Sequence, residues 1–139
     1  MSVYVGDMRA RELVAKTDPL TVARDVAAGR VLLGVVFLLA PRRLARPAIR
    51  GYGPSDEAVA ALRMAAGRDL ALGLGALLAA RRGPTTLRGW VEGGALADTT
   101  DAFVFASTKA FRMPFRVLGA LSGALAAAAG VAAARRLGD

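Results

Sequence analysis

The segment Leu87–Thr108, LRGWVEGGALADTTDAFVFAST, decides the fold, because it determines whether the chain crosses an apolar layer three times or four. Its length suits a hydrocarbon core near 30 Å thick, which takes about 20 helical residues. Yet it contains Glu92, Asp98 and Asp101. A charge at a bilayer centre costs on the order of 2.5–3.5 kcal/mol, so these acids need partners or water if the segment is a span. Their spacing gives them a common direction. Gly94, Asp98, Asp101 and Phe105 follow i, i+4, i+7 and i+11 and share one helix face. That face is expected to turn inward, leaving Ala95, Phe103 and Val104 nearer to lipid.

Outward from this segment, three further apolar runs carry the helical pattern. Asp18-Pro19 makes a helix start, with a carboxylate to cap free N–H groups and a proline where no donor is needed. A first helix is expected from about Leu20 to Ala40, ending at Pro41. The stretch PRRLARPAIRGYGPSDE reads as a polar loop, and Ser55-Asp56-Glu57 as the next cap. The second helix, about Ala58 to Ala80, reads AVAALRMAAGRDLALGLGALLAA, and the fourth runs from about Pro114 to Ala134. The expectation is a single all-α domain over residues 1–139, a bundle of four transmembrane helices preceded by a short polar segment, 1–19. That segment carries charges where a signal peptide needs a continuous apolar core, so no cleavable signal is read from it.

Composition agrees with lipid contact. Of 139 residues, 55% are hydrophobic, above the roughly 45–50% of soluble domains, and mean hydropathy is +0.42. The net charge of +8 could signal nucleic acid, but the basic residues cluster between the apolar runs: Arg42, Arg43, Arg46 and Arg50, then Arg81, Arg82 and Arg88, then Lys109, Arg112 and Arg116. They read as anchors at membrane lipid headgroups, with no nucleic acid partner. With no Cys and no His, disulfides, thiolate nucleophiles and the usual zinc or haem ligation are excluded, and no metal site is expected. Basic residues divide nine against seven between the two sides, which leans the termini of a multi-pass cell-membrane protein towards the cytoplasm.

The charges inside the runs are the candidate site. At about 1.5 Å rise per residue, Arg30 and Asp69 both fall roughly 15 Å along their helices. The same counting matches Arg68 with Asp98, and Arg63 with Asp101. The site is therefore Arg30, Arg63, Arg68, Asp69, Asp98 and Asp101, three charges of each sign in three pairs. The plainer reading is that these are interhelical salt bridges fixing register. The sharper one is a site for a lipid-like or small polar ligand, a proton or an ion. Asp98 and Asp101 share a face and are the candidate catalytic acids if the chain is an intramembrane enzyme; a small proton-coupled transporter is a further alternative.

Smaller features have plainer explanations. Trp90 reads as an interfacial aromatic and Glu92 as within reach of Arg24 or Arg88. Gly119-x-x-x-Gly123 reads as helix packing or an oligomer face. AAGR occurs at Ala27–Arg30 and Ala65–Arg68, which common composition explains better than duplication.

The Arg-, Gly- and Leu-rich first helix ending in Pro-Arg, GRDLALGLG in the second, and the acidic third helix resemble the DoxX-like superfamily. The resemblance is nearest to its small, uncharacterised bacterial four-helix membrane proteins. It covers about Arg24 to Ala106 and implies a four-helix membrane bundle. A named member is associated with thiosulfate oxidation feeding quinone, but no residue here matches a redox role, and no cofactor is assigned. The leading expectation is a non-enzymatic membrane protein in contact with membrane lipids, structural or holding a hydrophobic ligand, alone, as a homo-oligomer or as an accessory subunit.

Overall fold

The computed structural model describes residues 18–138, so most of the polar N-terminal segment, with the reading that it carries no cleavable signal, lies outside the described residues. Among the described residues five helices follow one another: α1 Pro19–Leu39, α2 Pro41–Ala45, α3 Asp56–Ala79, α4 Pro84–Ser107 and α5 Met113–Arg136. No strand interrupts them among the described residues.

The ends form where the sequence supplies caps. The Asp18 carboxylate accepts from the backbone N–H groups of Leu20 and Thr21, both at 3.2 Å, and Pro19 opens the helix. The Ser55 hydroxyl accepts from Ala58 N–H at 3.3 Å, and Asp56 and Glu57 place negative charge on the first turn of α3, where the helix dipole favours it. Pro41 keeps Ala40 out of helical geometry, at φ −132°, and ends α1. The stretch expected as a wholly polar loop holds α2, a single turn begun by that same proline.

The four long helices run alternately up and down. The connection after α2 and the one before α5 meet at one end of the bundle, where Arg50 N–H donates to Ala110 C=O at 3.0 Å and Arg112 N–H to Ala48 C=O at 2.8 Å. At the other end α3 passes to α4 through a tight turn at Gly83, whose φ of +119° suits glycine. At about 1.5 Å per residue, a helix of 24 residues extends about 36 Å.

Packing divides the bundle into two intimate pairs, α1 with α3 and α4 with α5, joined along a thinner seam between α3 and α4. Small residues make each pair close. A Cβ on Gly73 would lie 2.7 Å from the Ala27 carbonyl oxygen, and one on Gly34 would lie 2.9 Å from that of Ala66, so α1 and α3 touch backbone to backbone. Gly123 does the same for α4 and α5, facing the Asp98 carbonyl at 2.8 Å. Among the described residues the buried hydrophobics are nearly all alanine, with Leu87 the one large side chain fully enclosed.

The large apolar side chains point outward. Leu32, Leu39, Leu96, Phe103, Leu118 and Leu125 are all exposed. Soluble proteins place such residues inside, so a small-residue interior under an apolar exterior inverts the usual order. Among the described residues one helix, α5, is long and apolar enough to cross a membrane. The first and second runs, expected to qualify by hydropathy, each hold three charges in one membrane-length stretch: Arg24, Asp25 and Arg30 in α1, and Arg63, Arg68 and Asp69 in α3.

Candidate functional site

Five charged side chains meet where the two helix pairs face each other, and they alternate in sign. Arg30 of α1 donates from Nη2 to Asp98 Oδ2 at 2.5 Å and lies 3.5 Å from Asp69 Oδ1 through Nη1. Arg68 of α3 approaches the same Asp69 oxygen at 3.1 Å and grips Asp101 with both terminal nitrogens, at 3.0 and 2.7 Å. The sequence of contacts is Asp98–Arg30–Asp69–Arg68–Asp101. It ties α1 and α3 to α4 across the seam that apolar packing leaves thin. The two-pronged Arg68–Asp101 contact also fixes orientation, which a single point charge could not do.

The network is graded in depth. The side chains of Arg30 and Asp98 are 13% and 14% exposed, whereas those of Arg68 and Asp101 are 33% and 37% exposed. Arg30 also donates to the Gly94 carbonyl at 3.0 Å. A side chain on Gly94 would begin 3.2 Å from that guanidinium, so glycine opens the way to its own backbone. Asp98 and Asp101 do share an inward face, as expected. Phe105 on the same face stacks against Phe111, with ring centroids 4.8 Å apart.

One of the three expected pairs is present. Arg30 meets Asp69, but Asp98 is taken by Arg30 rather than Arg68, and Asp101 by Arg68 rather than Arg63. Arg63 is exposed and outside the network. Matching by depth along each axis ignores rotation about it. Five residues separate Arg63 from Arg68, which at roughly 100° per residue places them about 140° apart around α3. The network therefore holds two guanidinium groups and three carboxylates instead of three of each.

Other expectations are revised in the same way. Ala95, expected towards lipid, is 5% exposed, because Gly130 of α5 packs onto that side of α4. Phe103 and Val104 do face outward. Glu92 pairs with Arg88 at 2.8 Å along its own helix, while Arg24 donates to the Ala80 carbonyl at 3.3 Å. Both AAGR arginines, Arg30 and Arg68, enter the network.

Beside the network lies a narrow crevice of about 80 Å3 between α1 and α5, walled by Val26, Ala27, Trp90, Ala126 and Ala129 and reaching Arg30 and Asp98. At a share of roughly 30 Å3 per water molecule this is room for about two or three waters, or a short length of one hydrocarbon chain. Trp90 forms one wall by lying over Gly75, where any Cβ would collide with the indole ring. Nothing in the residue pattern marks the crevice, since apart from Trp90 and Leu72 its apolar walls are common Ala, Gly and Val positions. Asp98 is the one carboxylate of the network that lines it; Asp69 and Asp101 do not. No protein family model, curated protein or solved structure matches the chain.

Proposed function

We propose that the chain is a four-span integral membrane protein, crossing with α1, α3, α4 and α5, that holds a lipid-like ligand in the crevice between α1 and α5. The observation that carries this reading is the junction of an apolar slot with the Arg30–Asp98 pair. A short length of one hydrocarbon chain fits the slot, and a polar end group would meet a guanidinium and a carboxylate at its inner limit. Two supports stand behind the four spans: the apolar exterior and helix lengths that match a bilayer core. Partners for the charges in α1, α3 and α4 lower the cost of placing them in an apolar layer.

Trp90 makes the reading testable, because it is the sole tryptophan and it lines the crevice. A brominated long-chain alcohol added to the detergent-solubilised protein should quench its fluorescence saturably. Ala129→Phe, which fills the slot from α5, should abolish the saturable part. Linear quenching that is identical in both proteins would dismiss the ligand.

The uneven charge count favours a second reading, a proton-coupled carrier in which Asp98 exchanges a proton at the crevice. It requires proton flux in liposomes that Asp98→Asn removes while Asp101→Asn, away from the crevice, leaves most of it. The ligand-holding reading requires no flux.

A further inference from the structure

Arg63, displaced from the network, stands in a second concavity of about 630 Å3 where α1 ends, α2 turns away and α3 begins. Its walls include Leu39, Arg42, Arg43, Asp56, Val59 and Arg63. Arg42 is engaged: it pairs with the Asp56 carboxylate and donates to the Pro54 carbonyl at 3.2 Å. That contact cancels the one acidic charge in the wall and pins the loop before α3 to α2. Arg43 and Arg63 are both exposed and, among the described residues, neither makes a hydrogen bond or ion pair. Two unengaged guanidinium groups therefore share a basin with the mutually neutralised Arg42–Asp56 pair and with the apolar side chains of Leu39 and Val59.

We propose that this basin binds a phosphate group carried on an apolar body, the headgroup of an anionic phospholipid. Guanidinium groups recognise phosphate oxygens through paired N–H donors, and the apolar walls suit the glycerol and first methylenes attached to it. Arg63 lies about 10 Å along α3 at about 1.5 Å per residue, so it would reach back to the interface as long cationic side chains do. The lipid source rests on the membrane reading above; the phosphate chemistry does not.

The test is binding of short-chain phosphatidylglycerol, phosphatidylcholine and inorganic phosphate to the detergent-solubilised full chain. Phosphatidylglycerol should bind best. Arg43→Gln with Arg63→Gln should weaken it about 30-fold, given roughly a fivefold step for each basic residue. Arg81→Gln with Arg82→Gln, an equal charge loss at the opposite end, should change it less than about twofold. An unchanged melting temperature of the first double variant confirms that its fold is kept, as exposed positions predict. Equal weakening by both double variants, or none by either, overturns the site. Phosphatidylcholine binding as well as phosphatidylglycerol also overturns it, and inorganic phosphate binding equally well overturns the lipid assignment. Failure of the membrane reading is seen separately, as a wild-type chain that fractionates without membranes.

Discussion

Arg68 and Arg63 lie five residues apart on α3, and the structure gives them opposite surroundings. Arg68 is part-buried on the seam and holds two carboxylates; Arg63 stands exposed in a basin with no protein partner among the described residues. The residue type is the same, but about 7.5 Å of rise and about 140° of rotation separate the two. Together these divide the two roles an arginine takes in this bundle: closing an internal charge network, or presenting a cation at its edge. The seam also explains why the network exists. Gly34, Gly73 and Gly123 bring helices together within each pair, while between the pairs the charges act beside Trp90 over Gly75 and a cluster of Leu87 and Leu137 with alanines of α1 and α3.

Breaking the network at its deepest point should have the largest effect. Asp98→Leu leaves Arg30, at 13% exposure, with only the longer Asp69 contact and the Gly94 carbonyl, and removing the closest partner of such a pair costs about 3 kcal/mol. Equilibrium unfolding in detergent should show that loss, whereas Arg63→Met should stay within about 0.5 kcal/mol of the wild type. A similar loss in both would erase the distinction between the two faces of α3. Combining Arg30→Met with Asp98→Leu sharpens it, because a pair replaced by apolar side chains leaves no stranded charge. The double variant should recover most of the single variant's loss, read as a coupling energy in a double-mutant cycle.

Next in size comes the packing within a pair. Gly73→Ala forces a methyl group against the Ala27 carbonyl and should cost about 1–3 kcal/mol in the same unfolding measurement. Gly67→Ala meets open space and should be neutral or slightly stabilising, because alanine is the better helix former.

The smallest effect is expected at the first helix cap. The Thr21 hydroxyl, and then the Leu20 N–H, hold the Asp18 carboxyl below its ordinary value. The stability it contributes is thus complete above the unfolded carboxyl pKa, about 3.9, and is lost as pH falls through the lower folded value. Asp18→Asn should flatten that part of the acid branch of the unfolding curve, and an unaltered acid branch would show that the cap is not formed.

Much of the fold was legible in the residues. Asp18-Pro19, Ser55 and the Gly83-Pro84 turn mark helix ends by local chemistry, and the observed bounds fall within a few residues of those expected. The inward face of α4 followed from spacing alone, because Asp98 and Asp101 are three residues apart on one helix. What was not legible depends on relations between helices. Rotation of α3 assigned Arg68 to Asp101 and removed Arg63; the approach of α5 buried Ala95; and the crevice forms only because α1 and α5 stand apart. A one-dimensional depth count has no access to any of these.

The four-span reading is tested most directly by side-specific labelling, which a chain without cysteine makes simple. Single substitutions Arg50→Cys, Arg82→Cys, Lys109→Cys, Leu32→Cys and Phe103→Cys would be exposed to a membrane-impermeant maleimide in intact and inverted vesicles. The account predicts that positions 50 and 109 label from one side and position 82 from the other, with 32 and 103 protected until detergent is added. Labelling of 50 and 82 from the same side, or of 32 and 103 in intact membranes, would contradict it.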